Sequence, residues 1–250
     1  AALRAGAAAI WAGPAMAAGA DDVLDTYADI ALAGYEDSLA AAQALREAVG
    51  ALVAAPSDET LAAARTAWLA SRVPYQQTEA YRFGNAIVDE WEGKVNAWPL
   101  DEGLIDYVDA AYGTESDENE FYVVNVIANA KVTAGGEEID ASTIDPELIQ
   151  SLHELGGIEA NVATGYHAIE FLLWGQDLNG TGEGAGNRPW TDYAKDGCTG
   201  GNCDRRAAYL TAAADLLVSD LRDIIAEWEE GGEARAALTA ESPEAGISAV

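Results

Sequence analysis

The stretch GYHAIEFLLW, residues 165–174, decides the fold, because its apolar side chains recur at the period of an α-helix. The apolar positions predicted to face a core are Ile169, Leu172 and Leu173. His167 and Glu170 lie three residues apart and therefore share another face of this helix. An imidazole and a carboxylate so placed can bind one metal ion, with zinc, iron or copper as the suitable metals. The structural alternative is a core histidine that is hydrogen-bonded to Glu170 or to a backbone carbonyl.

Helical patterns extend outward from this segment in both directions along the chain. The predicted helices span residues 23–54, 59–84, 104–112, 119–130 and 204–230, and the second of them is expected to bend near Pro74. A further helix is predicted to begin at Asp145-Pro146 and to be interrupted at Gly156-Gly157. Residues 132–139 predict one small hairpin, and residues 179–202 form a glycine-rich loop. The fold class is therefore all-α, a bundle of long antiparallel helices.

Two polar stripes lie on these helices. The first consists of Trp68, Arg72, Tyr75, Glu79 and Arg82, at steps of four, three, four and three residues. The second consists of His167, Glu170 and Trp174. Stripes that include Trp and Tyr are expected to face inward, where Arg and Glu need partners or a ligand. They predict a shared pocket, and the alternative is a solvated face with ion pairs between neighbouring turns.

Three segments together resemble the imelysin-like family, also called the insulin-cleaving membrane protease or iron-regulated protein A type. They are the GxHxxE motif at residues 165–170, NAWPLDE at 96–102, and the Trp/Arg/Glu/Arg-Phe-Gly helix at 68–84. The resemblance runs in register over about residues 25–240. Family members carry a second helical half that includes a His-Ser-Cys-Phe run, so residues 18–250 are expected to form one helical domain that lacks that half.

The resemblance implies a set of site residues. The metal ligands that it implies are His167, Glu170, Glu79 and Asp101, with Glu102 as a further oxygen donor. The pocket residues that it implies are Trp68, Arg72, Tyr75, Arg82, Trp98, Glu102, Gly165 and Trp174. Gly165 carries no side chain, which lets a ligand approach closely or, equally well, lets another helix pack there.

Family members are named for peptidase activity and are linked with iron regulation and envelope iron uptake. The preferred hypothesis is a protein that binds a metal ion or metal chelate in iron uptake. The first alternative is a metal-dependent peptidase in which Glu170 acts as general base on a metal-bound water. The second alternative is a metal-free helical interaction module. Peptidase chemistry has less support, since Phe171 follows Glu170 and His153 is the chain's one other histidine, so neither zincin pattern is present.

The charge balance restricts the partners. Of the 250 residues, 43 are acidic and 13 are basic, which gives a net charge of -30. Such a chain has no basic stripe for nucleic acid and attracts cations instead. The expected partners are a metal ion or small chelate, a peptide for the hydrolase alternative, and components of envelope iron uptake.

The N-terminus predicts export. Residues 1–17 combine a basic residue, a small apolar run and an Ala-x-Ala ending, and they resemble the remainder of a signal peptide that is cleaved after Ala17. No later run reaches the roughly 20 apolar residues of a membrane span. Cys198 and Cys203 enclose a glycine-rich loop and predict a local disulfide, as is common in exported proteins. The expected location is the periplasm or cell envelope.

Overall fold

Three long helices dominate the computed structural model, which describes residues 18–134 and 136–249. They are α1 (Ala20–Ala54), α2 (Asp58–Gln77) and α7 (Cys203–Trp228). Helix α1 packs along both α2 and α7, so the apolar faces predicted from the helical period close onto one another. The predicted signal-peptide remnant, residues 1–17, lies outside the described residues.

Shorter elements complete the bundle. They are a 3-10 turn at Thr78–Arg82, α3 (Ala86–Asn96), α4 (Glu102–Ile105), a 3-10 turn at Ala110–Tyr112, β1 (Lys131–Ala134), β2 (Glu137–Asp140), α5 (Pro146–Leu152), a 3-10 turn at Leu155–Gly157, α6 (Gly165–Trp174), a 3-10 turn at Trp190–Tyr193, α8 (Glu233–Ala237) and α9 (Pro243–Ala249). Strands β1 and β2 pair antiparallel, with Lys131 opposite Asp140. The all-α class and the small hairpin are confirmed.

Helix α2 begins and ends for identifiable reasons. The Ser57 hydroxyl accepts a hydrogen bond from the Thr60 amide at 3.1 Å, which caps its first turn. Pro74 lies inside the helix and has no amide to donate to the preceding turn. The backbone tightens into a 3-10 turn from Thr78, so the helix predicted over 59–84 is shorter than expected.

The helices predicted at 104–112 and 119–130 are wrong as continuous elements. Helix α4 ends at Ile105, and residues 119–130 form a series of turns. Three successive amides of residues 125–127 donate to the carbonyls of 103–105 at 2.8, 2.9 and 3.1 Å. The end of α4 thus obtains partners from a distant segment, a tertiary contact that local periodicity does not encode.

Helix α6 lies at the centre of the bundle, against α2, α3 and α7. Ile169, Leu172 and Leu173 are all 0% exposed, as the sequence predicts for its core face. His167 and Glu170 lie on the partly exposed side of the same helix. No helix in residues 18–134 or 136–249 is long and apolar enough to span a membrane.

Candidate functional site

A cavity of about 470 Å³ opens beside the GxHxxE helix, and we call it the His167 cavity. The predicted site residues that line it are Trp68, Trp98, Glu102, His167, Glu170 and Trp174. The rest of its lining, which the sequence did not indicate, includes Leu69, Phe171, Asp177 and residues 184–186. Asp177 follows the motif by only a few positions, whereas residues 184–186 belong to the glycine-rich loop and carry no recognisable signal.

His167 and Glu170 form a hydrogen-bonded pair, with Nδ1 of His167 3.1 Å from Oε2 of Glu170. The Trp98 ring packs against the imidazole, with centroids 4.9 Å apart. The contact with Glu170 occupies Nδ1, so Nε2 is the imidazole nitrogen left for a ligand. In many metal sites a carboxylate orients a metal-binding histidine through the ring nitrogen that does not bind the metal, and the Glu170 contact with Nδ1 has this arrangement.

Hydrogen bonds to the α6 backbone hold the aromatic wall of the cavity in place. Trp68 donates from Nε1 to the carbonyl of Tyr166 at 2.9 Å, and its ring meets Trp174 edge-on with centroids 5.3 Å apart. The Arg65 guanidinium lies 5.5 Å from the Trp174 ring and donates to the Leu173 carbonyl. These rings are therefore positioned before any ligand arrives.

The charged side chains among the described residues that line the His167 cavity are acidic. They are Glu102, Glu170 and Asp177, besides the imidazole of His167. Burial raises the pKa of Glu102, while its hydrogen bond with Gln176 opposes that rise. Carboxylates beside aromatic faces favour a cation or a ligand with a positive centre.

The Arg72 guanidinium lies against three aromatic rings, two of which belong to the same polar stripe. Its guanidinium carbon lies 5.8, 5.2 and 4.8 Å from the ring centroids of Trp68, Tyr75 and Tyr166. Its Nη1 donates to Oδ1 of Asn96 at 2.6 Å. Tyr75 itself is 1% exposed. Neither Arg72 nor Tyr75 lines the His167 cavity. The charge of Arg72 is stabilised by the aromatic rings and by the side-chain amide of Asn96, whereas the sequence predicted a ligand as a possible partner.

Glu79 and Arg82 do not line the His167 cavity. Arg82 approaches Glu79 at 3.4 Å, Glu92 at 3.2 Å and Asp89 at 2.9 Å. Arg82 and Glu92 line a separate polar cavity that Trp98 also borders. The carboxylate of Glu79 is thereby engaged away from His167.

Asp101 also lies outside the lining of the His167 cavity. Its Oδ2 accepts a hydrogen bond from Asn119 at 2.5 Å, and its amide donates to the Ala160 carbonyl at 2.8 Å. Within residues 18–134 and 136–249, no three His, Cys, Asp or Glu side chains lie close enough to hold a metal together. The four residues predicted as metal ligands are therefore not assembled into one cluster, because Glu79 and Asp101 have structural partners.

Gly165 is required by helix packing. Its φ is +76°, and a Cβ atom added to it would be 2.3 Å from the carbonyl oxygen of Val95. The sequence left open whether a ligand or another helix approaches here, and the neighbour is α3. The glycine of the motif therefore places α6 against α3 and thereby fixes where His167 lies.

The structure contains a buried ionic cluster that the sequence did not indicate. It consists of Asp106, Arg188, Asp192 and Arg206, none more than 3% exposed. Arg188 Nη1 is 2.7 Å from Asp106 and 2.9 Å from Asp192, and Arg206 Nε is 2.6 Å from Asp106. The i,i+4 spacing of Arg188 and Asp192 was the only local signal, since their other partners come from distant segments.

The predicted disulfide between Cys198 and Cys203 is confirmed. The loop that it closes contacts the ionic cluster. Arg206 Nη1 donates to the Gly201 carbonyl at 2.9 Å, and the Gly200 amide donates to Asp192 at 2.8 Å. The disulfide therefore constrains backbone that hydrogen-bonds buried charges.

Comparison with known proteins agrees with this architecture. The crystal structure of a protein described as an iron-regulated protein A precursor, from Parabacteroides distasonis, superposes with a TM-score of 0.53 at 23% identity. The match covers 86% of this chain and 48% of that one, and it shows a shared fold. Iron-regulated protein A of Synechococcus elongatus is 34% identical over 76 residues, which are 30% of this chain and 21% of that protein.

The chain thus spans about half the length of the structural relative, and its alignment covers about a fifth of the cyanobacterial one. The family model described as Imelysin, of the M75 peptidase type, matches residues 31–250. That range includes α2, the NAWPLDE segment and the GxHxxE helix that line the His167 cavity. The chain therefore belongs to the imelysin family.

Proposed function

We propose that this chain is an exported cell-envelope protein whose His167 cavity binds a metal ion held in a small chelate, as part of iron uptake. The observation that carries the proposal is the His167–Glu170 pair at 3.1 Å on the wall of an acidic, aromatic cavity. An imidazole nitrogen suits iron, zinc or copper as a ligand, and the carboxylate on the other ring nitrogen orients it. Iron is preferred because two relatives are named as iron-regulated proteins.

A chelate is favoured over a bare ion for two reasons. The described residues bring no third His, Cys, Asp or Glu to the pair, so other donors have to come from the ligand or from water. The cavity, at about 470 Å³, has the size of a small-molecule site rather than that of a single ion.

The residues of the His167 cavity would have different roles in binding the chelate. His167 supplies Nε2 as the protein ligand, and Glu170 orients the ring through Nδ1. Trp68 and Trp174 offer apolar faces to the organic part of the chelate. Glu102 adds negative charge that favours a positive centre.

Calorimetry on purified protein tests the metal proposal, with iron, zinc and copper each offered as free ions and as one-to-one 2,2′-bipyridine complexes, which are cationic and leave coordination positions open. The chelates should bind more tightly than the free ions, and His167→Ala should abolish that binding. Glu79→Gln and Asp101→Asn are the matched controls, and both should bind like the wild type because these carboxylates lie outside the cavity. Equal binding by His167→Ala, or no binding of any complex, would overturn the proposal.

A peptidase is the second candidate. Glu170 is 42% exposed at its side chain and adjoins an imidazole, a position from which it can act as general base on a metal-bound water. Cleavage of unstructured peptides by the metal-loaded protein, abolished in Glu170→Gln, would support it. If no metal supports cleavage of the peptides, the metal-binding function is retained and the peptidase is rejected. If the protein also binds no metal, a metal-free interaction module is favoured.

Export has its own test. The confirmed disulfide agrees with an oxidising compartment. Expression of the full chain with its N-terminus in a bacterial host should yield periplasmic protein that begins at Ala18. Protein that stays in the cytoplasm with residues 1–17 uncleaved would contradict the signal-peptide prediction.

A further inference from the structure

A second cavity, of about 480 Å³, adjoins the first, and we call it the Arg188 cavity. Its wall includes Tyr107, Ala110, Gln176, Asn187 and Arg188. It shares Trp174, Gly175, Ala185 and Gly186 with the His167 cavity, so a common wall separates the two. The chemistry of its lining differs, because an arginine and side-chain amides replace most of the carboxylates.

Arg188 has unused hydrogen-bond donors although it is buried. Its side chain is 1% exposed, and Nη1 alone contacts Asp106 and Asp192. Its Nε and Nη2 have no hydrogen-bond partner within the described part of the chain. A buried donor without a partner costs about 1–3 kcal/mol, more for a charged group, so these two nitrogens require one.

The geometry of the guanidinium selects the partner. Nε and Nη2 lie on one edge of its plane and offer two parallel N–H bonds, the fork that matches the two oxygens of a carboxylate. The rings of Tyr107 and Phe171 lie 4.9 and 5.5 Å from the guanidinium carbon and restrict its movement. The donor edge is therefore oriented in advance.

The charges and the free space around the Nε and Nη2 edge of Arg188 are compatible with a bound anion. The cluster of two arginines and two aspartates is neutral. Among the described residues, Asp109 is the one acidic side chain on the cavity wall, and its Oδ1 accepts a hydrogen bond from the Ala111 amide, so a bound carboxylate would meet less negative charge here than in the His167 cavity. Gly175 borders the cavity, and a Cβ atom there would lie 3.3 Å from the Arg188 Cβ and 3.6 Å from its Nε. The glycine thus keeps the neighbourhood of the free edge clear.

We propose that the Arg188 cavity binds a carboxylate group of a small molecule, held by Nε and Nη2 of Arg188. Arg188 lines the cavity, but its Nε and Nη2 are buried in this structure. Residues 175–187, a largely exposed segment without helix or strand, supply much of the same lining. An outward shift of this segment brings the edge into the cavity, and the bound carboxylate then satisfies both donors.

Calorimetric titration of the metal-free protein with citrate, and separately with inorganic phosphate, tests the proposal. Because no metal is present, the result is independent of the function proposed for His167. Citrate should bind, and Arg188→Lys should weaken it about tenfold or more, since lysine keeps the charge and loses the fork. Ala110→Trp should also abolish binding, because Ala110 lines the cavity and an indole at this position would fill the space that the ligand needs.

Ala111→Trp is the matched control, because this exposed alanine lies on the same 3-10 turn but not on the cavity wall. It should bind citrate like the wild type. If Arg188→Lys does not fold, the two alanine variants decide the question. Three results would each overturn the proposal: no citrate binding at millimolar concentration, which leaves a trapped water as the partner; equal binding by Ala110→Trp; or phosphate bound more tightly than citrate.

Discussion

Gly165 and Val95 approach each other so closely that a Cβ atom on the glycine would lie 2.3 Å from the valine carbonyl oxygen. This contact joins α6 to α3 immediately before the His167–Glu170 pair. The glycine also has a φ of +76°, which residues with side chains adopt only at a cost. The first position of the GxHxxE motif is thus explained by packing.

Gly165→Ala is therefore expected to destabilise the fold by roughly 2–5 kcal/mol, through overpacking and backbone strain together. Urea denaturation measures this loss. Gly50→Ala is the control, because Gly50 lies within α1 with no atom within 4 Å of an added Cβ. It should gain about 0.5–1 kcal/mol from helix propensity. Equal effects of the two substitutions would contradict the packing role.

Asp106→Asn is expected to cost about 3–5 kcal/mol, since it leaves two buried arginines with one aspartate between them. The matched control is Asp215→Asn, which removes the partner of Arg46 in an ion pair whose side chains are 36% and 57% exposed. That pair should contribute less than about 1 kcal/mol because solvent screens it. Chemical denaturation of both variants makes the comparison, and a small loss for Asp106→Asn would show that water reaches the cluster.

Replacement of both Cys198 and Cys203 by serine is expected to lower stability by about 2 kcal/mol, the value for a short closed loop. Loosening of the loop should also weaken the contacts of Gly200 and Gly201 with the ionic cluster. Thermal unfolding with and without a reducing agent measures the effect. The reductant should destabilise the wild type and leave the double variant unchanged.

Asp220 predicts a pH dependence of stability. Burial raises its pKa to about 7, with Lys94 opposing the shift and Asp223 adding to it. In the unfolded chain the carboxyl group ionises near pH 4, so between about pH 4 and 7 the folded state binds more protons. The contribution of Asp220 to stability therefore falls as pH rises through this window and is constant above it.

The Asp220→Asn variant tests this sign. It should match the wild type near pH 4 and be more stable by about 4 kcal/mol at pH 8, because it removes the cost of a buried charge. Urea denaturation at several pH values measures the difference. Glu36→Gln, at an exposed position of α1 away from Asp220, is the control and should change stability little. Parallel pH profiles for the wild type and Asp220→Asn would contradict the prediction.

The sequence predicted features that depend on neighbouring residues. The spacing of His167 and Glu170 placed them on one face of a helix, and they form a hydrogen bond there. The apolar period placed Leu172 and Leu173 in the core. The segment 119–130 shows the limit of this reasoning, because its amides cap a helix about 20 residues earlier in the chain.

The sequence by itself determined the helical class, the paired imidazole and carboxylate, the Cys198–Cys203 disulfide and the family. Each of these rests on periodicity or on spacings of a few residues. Only the tertiary structure decided that Glu79 and Asp101 lie apart from His167, and that Asp106 meets Arg188 and Arg206 from 82 and 100 residues away. Side chains so distant in sequence meet only where packed helices bring them together, and burial then makes their pairing necessary.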